Sequence, residues 1–420
     1  MDDGVREHVA RNYPRLGLER CSVSLGFGGV EGSLAISPLL LDKLEDEGFR
    51  DESIWRGVVL GAVGPQAALH DLPVRWTGPD GLISWVAADP ERTLNSLRAA
   101  DNQLSRQGRK QVIVFDALDR AGSRWPSIQR RTQSLLRLAL SLRAYRSIKA
   151  KIFLRTDQAQ DRSVTAFPDA SKLITSAVEL DWGIHDLYGL LFHRLANDDA
   201  AGHAFSELLQ DLGVPMLVGM AHPIELTQDL KESEESQERV FVALAGRYTG
   251  SDKRKGRTYK WLHNHLADAR GQVSPRSFLE AVRAAADSGP PGDTPLTPKG
   301  LQKGLQAASR VRVEQLKEEY GWIESVLAPL ADQSVPCPDQ ALYSRWSEAT
   351  TLESIDRGAE SDHYLVPIEF ESEGARHDSL LRALMRIGIT ERRPDGRINV
   401  PDIYRVAAKL LKRGGVPPER

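Results

Sequence analysis

The residues best placed to do chemistry stand at the ends of short apolar runs. The run Val112-Ile113-Val114-Phe115 closes on Asp116 and continues Ala117-Leu118-Asp119-Arg120. A carboxylate at the end of a buried strand can order Mg²⁺ through water beside a bound nucleotide. The next position often carries the carboxylate that activates the attacking water. Here it is Ala117, which cannot take a proton; Asp119 is the nearest substitute, unless it pairs with Arg120. A second run, Ala150-Lys151-Ile152-Phe153-Leu154, ends in Arg155-Thr156-Asp157, which would set Arg155 against a terminal phosphate or the attacking water. A third stretch, Gly26-Phe27-Gly28-Gly29-Val30-Glu31-Gly32-Ser33, follows the short extended run Cys21 to Leu25. Backbone N–H groups of such a loop, at a helix N-terminus, can wrap a phosphate, with a lysine to neutralise charge and a Ser or Thr on the metal.

Laid against the pattern G-x-x-G-x-G-K-[S/T], Gly26, Gly29 and Ser33 match, while Glu31 replaces a glycine and Gly32 replaces the lysine. The phosphate clamp is lost, and Glu31 adds a like charge where phosphate would lie. The candidate nucleotide site is therefore Gly26, Gly28, Gly29, Gly32, Ser33 and Arg155, with Arg276 farther along. Asp116 and Asp119 are the candidate catalytic residues, and Asp116 and Ser33 the candidate magnesium ligands acting through the nucleotide. An ordinary glycine-rich turn and a capping aspartate are the competing readings of loop and strand end. Arg276 enters because Ser274 and Pro275 look like N-cap and first residue of a helix, so Arg276 opposes the helix dipole in the first turn.

The elements that must hold these groups alternate. Strands are expected at 21–25, 82–87, 111–116, 150–154 and 177–180, separated by helical patterns. The continuous apolar run before Asp116 is that of a strand buried on both faces, and the alternation predicts a parallel sheet with helices on both faces. Beyond residue 200 the pattern is helical, broken by Gly289-Pro290-Pro291-Gly292. A helix at 378–387 and a hairpin turning at Pro394-Asp395-Gly396 resemble a winged helix. This divides the chain into an α/β core at 1–198, a helical lid at 199–288 and a helical, winged-helix-like region at 293–420.

Two basic patches could meet nucleic acid: the run from Asp252 to Trp261, and Arg382, Arg386, Arg392, Arg393 and Arg397 around the hairpin. A net charge of -3 gives no global attraction to nucleic acid, so a solvated loop is the favoured reading of the first patch and packing against protein that of the second. Two cysteines without ligand-spaced neighbours exclude a disulfide scaffold and a zinc knuckle. An acidic N-terminus and no long apolar stretch predict a cytoplasmic protein with neither signal peptide nor membrane span.

Taken in order, several tracts resemble the bacterial P-loop ATPases related to the KAP and STAND groups. They are Val112 to Arg120, Ile152 to Asp157, Phe167 to Lys172, Leu180-Asp181-Trp182 leading into Leu187 to Leu195, and Trp261 to Leu279. The resemblance covers about residues 20–285. It implies an ASCE-type P-loop NTPase-like core with a helical lid, and ATP and Mg²⁺ as ligands. Similar segments lie beside or fused to ParA-like ATPases, which implies a partner ATPase supplied in trans, in a signalling or defence-type system. The departure at the phosphate loop favours a regulatory or assembly component. The open alternatives are an active Mg-dependent ATPase and a nucleic-acid adaptor; self-association is also open.

Overall fold

A computed structural model describes residues 20–28, 36–214, 224–250, 256–289, 294–362, 364–371 and 373–418. The chain divides into two compact units, Met1–Val178 and Glu179–Arg420.

In the first unit three strands, β1 (Cys21–Phe27), β2 (Lys110–Phe115) and β3 (Ile148–Ile152), form a parallel sheet in the order β1-β2-β3. Val23 pairs with Val112, and Val112 with Lys149. The expected α/β class is therefore observed. Strand β1 pairs directly with β2, and β2 with β3. Strands added always in one direction by right-handed crossovers leave their helices on a single face. Those helices are α1 (Pro38–Asp46), α2 (Asp51–Val63), α3 (Leu82–Ala88), α4 (Pro90–Arg106) and α5 (Trp125–Leu142). Ile113, Phe115 and Ile148 share one core with Trp55, Leu97, Leu104 and Leu135. Among the described residues the alternate face is open: Val23 is 61% exposed, and Val112 and Val114 are half-buried and outside that core. Helices on both faces are thus not found among the described residues.

Local chemistry sets the helix ends. The Ser37 hydroxyl accepts the Leu40 N–H ahead of Pro38, and the Asp89 carboxylate accepts the Arg92 N–H ahead of Pro90. Buried Asp101 of α4 accepts the N–H groups of Arg146, Ser147 and Ile148 at 3.1, 2.7 and 3.2 Å. These bonds fix the start of β3, which begins and ends two residues before the predicted run.

Two expected strands are absent. Leu82 to Ala87 is helical, as α3; its buried residues Leu82, Ile83 and Val86 have helical spacing. Ile83 fills the room left by Gly57 on α2, whose Cβ would lie 2.5 Å from the Ile83 Cδ1. A short apolar run does not separate strand from helix by itself. Ala177 to Leu180 pairs with nothing in the described sheets, and Val178 and Leu180 are 80% and 75% exposed.

The second unit is helical. Its longer helices are α6 (Ile184–Ala196), α7 (Gly202–Asp211), α8 (Glu234–Ala245), α9 (Thr258–Leu266), α10 (Pro275–Ala286), α11 (Pro298–Glu319), α12 (Asp339–Glu348), α13 (Thr351–Asp362) and α14 (Arg376–Arg386). A small hairpin, β4 (Glu391–Arg392) and β5 (Ile398–Asn399), follows, then a short helix Asp402–Arg405. One hydrophobic core runs from Leu187 to Val416. Helix α6 therefore packs in this unit and not with the sheet. The expected division between lid and C-terminal region crosses this same core: Phe278 and Ala281 of α10 share it with Leu301 and Leu305 of α11. At that crossing only glycine fits at 304, because a Cβ would fall 2.1 Å from the Ala281 carbonyl oxygen. Among the described residues no helix is long and apolar enough to cross a membrane.

Candidate functional site

The sequence candidates of the first unit converge on the carboxyl edge of the sheet, where ligands of open parallel sheets bind. Strand β1 reaches that edge through Gly26 and Gly28, and both glycines have a packing reason. A Cβ on Gly26 would lie 2.5 Å from the Phe115 ring, and the β1–β2 register shifts beside it, between Leu25 and Phe27. Gly28 has φ +82° and a Cβ there would meet the Asp116 carbonyl oxygen at 2.9 Å. These glycines let β1 lie close against β2. Gly29, Gly32 and Ser33, with Glu31, lie outside the described residues.

Strand β2 delivers Asp116, exposed at its end, with its N–H donated to the Phe27 carbonyl at 3.2 Å. The carboxylate accepts the N–H of Ala117 at 2.8 Å. Ala117 has φ 54°, a left-handed conformation that costs a non-glycine residue about 1–2 kcal/mol. The turn it begins buries Leu118 and leaves Asp119 half-buried. Beyond β3, Arg155 holds its guanidinium 3.9 Å from Asp119 and 3.2 Å from Asp157. Arg155 and Asp119 are thus brought together, as neighbours of opposite charge.

Two side chains that the motif reading missed hold this edge from below. Trp55 of α2 sets its ring edge-on to both Phe27 and Phe115, at 6.0 and 5.7 Å between centroids, and donates its indole N–H to the Arg131 carbonyl at 2.9 Å. Arg131 of α5 is fully buried. Its guanidinium donates to Asp42 at 2.7 Å, Glu45 at 2.6 Å and the Leu41 carbonyl at 3.0 Å on α1, and to the Ala121 carbonyl behind Asp119. One cation therefore ties the helix after the glycine loop to the turn after Asp116. The sequence does carry a signal: Arg131 falls on the apolar stripe Ile128, Leu135, Leu138, Leu142 of α5. An arginine there must bring buried acceptors with it.

The described part of this edge does not fit a magnesium triphosphate by charge. Asp116, Asp119 and Asp157 share it with Arg155, and Arg155 is already engaged by two of them. Among the described residues no three His, Cys, Asp or Glu side chains converge as a metal site.

In the second unit Arg276 is in the first turn of α10, as expected, exposed and without a partner among the described residues; Ser274 occupies the N-cap position but makes no side-chain capping bond. The described end of the 252–261 run is tied down: Arg257 pairs with Glu238 and Lys260 with Glu234. His185 contacts the Gln237 amide, which Tyr259 also reaches, and His265 stacks on Trp261 at 4.2 Å, so these histidines serve packing. Around the hairpin, Arg386 pairs with Glu369, Arg392 with Asp339 at 2.8 Å, and Arg397 with Asp395, while Arg382 donates to Ser379. Of the five arginines only Arg393 has no side-chain partner among the described residues. No family model, curated protein or solved structure matches the chain.

Proposed function

We propose that the chain is a regulatory or assembly component. Its first unit is a nucleotide-binding-type α/β unit with a degenerate phosphate site, and it works through a partner ATPase and not by its own hydrolysis. The observation that supports this most is the Asp119–Arg155–Asp157 cluster. Arg155 at the edge is held by carboxylates, and a phosphate would have to displace them. A like charge about 4 Å away opposes a phosphate by up to about 4 kcal/mol at an effective dielectric constant of 20. Gly32, where a phosphate loop has its lysine, adds no compensating charge.

Calorimetric titration of the full chain with MgATP tests the proposal. The expected dissociation constant is weaker than about 100 μM, a binding free energy of about 5.5 kcal/mol. Asp119→Asn, which removes one of the two carboxylates beside Arg155, and Gly32→Lys, which restores the clamp, should each strengthen it. Micromolar or tighter binding by the natural sequence would overturn the degenerate-site reading. Nucleic-acid binding through the hairpin is not favoured, because its arginines are largely neutralised within their own unit.

A further inference from the structure

The open face of the sheet has a composition of its own. By strand alternation it presents Cys21, Val23 and Leu25 from β1, Lys110, Val112 and Val114 from β2, and Lys149 and Lys151 from β3. Phe153, just past β3, is 45% exposed. Lys110 and Lys151 are exposed and have no carboxylate partner among the described residues; Lys149 gives its ammonium to the Tyr145 carbonyl at 2.5 Å. None of Val23, Leu25, Val112 and Val114 joins the unit's core. Parallel sheets are ordinarily covered on both faces, and β-branched residues on an uncovered central strand are costly to leave in water.

We propose that this face is the docking surface for an amphipathic helix of a partner protein, one with an apolar stripe and an acidic flank. Three strands about 4.8 Å apart span about 10 Å, the width of one α-helix. The valines and Leu25 would take the stripe, and the lysines along β3 would select a flank of Glu or Asp. A second copy of this chain is a poorer occupant, because the strand residues of the face include no carboxylate to meet its lysines. A single-stranded nucleic acid needs a row of aromatic rings to stack its bases; the face offers Phe153 alone. The inference rests on the reading of the chain as an assembly component, but its test makes no use of nucleotide.

Cys21 lies half-exposed on this face and the other cysteine, Cys337, is buried, so the rate of Cys21 alkylation by a maleimide reports cover. The full chain would be treated alone and with each of three probes. These are a helical Leu/Ala peptide of about 18 residues, five turns, with a Glu flank, the same peptide with a Lys flank, and oligo(dT). The Glu-flanked peptide should slow Cys21 at least about fivefold, about 1 kcal/mol of cover, and added salt should weaken the effect. Lys151→Glu, a change at an exposed position that spares the core, should abolish that slowing and transfer it to the Lys-flanked peptide. Absence of protection by the Glu-flanked peptide, equal protection by both peptides, or protection by oligo(dT) instead would each overturn the proposal. Tight MgATP binding would sink the degenerate-site reading and leave this result standing.

Discussion

Replacing Arg131 by alanine tests whether the candidate edge is held from beneath. The guanidinium makes four hydrogen bonds, two to carboxylates and two to carbonyls. Its removal leaves Leu41 and Ala121 carbonyls buried without their donor, at about 1–3 kcal/mol each. Asp42 and Glu45 are 33% and 25% exposed, so water recovers part of the loss there. Breaking such a buried cluster from one side costs about 3–5 kcal/mol. The neighbouring Arg130 is an internal control. It reaches Glu45 and Asp51 with a side chain 51% exposed, and Arg130→Ala should cost about 1 kcal/mol or less. Urea titration followed by hydrogen exchange in α1 and residues 118–121 reads both variants within the intact chain. The same cluster gives a pH signature. Burial alone would raise the Glu45 carboxyl, but the Arg130 hydrogen bond and the charges of Arg130 and Arg131 hold it below its ordinary value. A carboxyl lowered in the folded state stabilises fully above the unfolded pKa and loses that contribution as pH falls through the folded value, here below the ordinary carboxylate range. Arg130→Ala should therefore flatten the loss of stability on acidification more than Arg131→Ala does, because Arg130 acts on Glu45 through both a hydrogen bond and its charge. Equal costs for the two arginines, or a cost below about 1 kcal/mol at Arg131, would refute the reasoning.

Gly28→Ala should lower the stability of the first unit by about 2 kcal/mol, the cost of a left-handed alanine plus relief of a clash with the Asp116 carbonyl; a smaller shift in the urea midpoint would mean that β1 can move away. Arg392→Ala with Arg393→Ala should leave gel-shift retention of DNA by the intact chain unchanged while removing the Asp339 pair, at no more than about 1 kcal/mol. Retention that is tight at low salt and lost in the double variant would restore the nucleic-acid reading.

The central strand was legible because an unbroken apolar run ending in a carboxylate has few other uses, and Asp116 and Arg155 fell at the strand edge as their positions predicted. The helix at Leu82 was not, because seven residues do not distinguish the two periods; its partner Gly57 lies in another helix. Nor was the open face. Val112 and Val114 alternate with Ile113 and Phe115 without any change of character, so the sequence cannot tell a covered apolar side from an uncovered one. Arg131 was missed for the opposite reason. Its acceptors lie on α1 and in the turn after Asp116, with Asp51 of α2 3.7 Å away, and only the fold collects them.

The β1–β2 pairing also has a kinetic consequence. Gln111 meets Ile148 across one helix, whereas Cys21 must find Lys110 across four. Distant pairings must meet their loop-closure entropy before any contact rewards it, so β2 and β3 can zip early while β1 arrives late. Until it does, β2 is an edge whose last four residues, Val112 to Phe115, are all hydrophobic, the kind of template onto which another chain can add. The glycines that admit β1 so closely therefore also govern how long the nascent protein remains vulnerable to aggregation, and a variant that slows that last step would show its defect in yield before it shows it in the folded molecule.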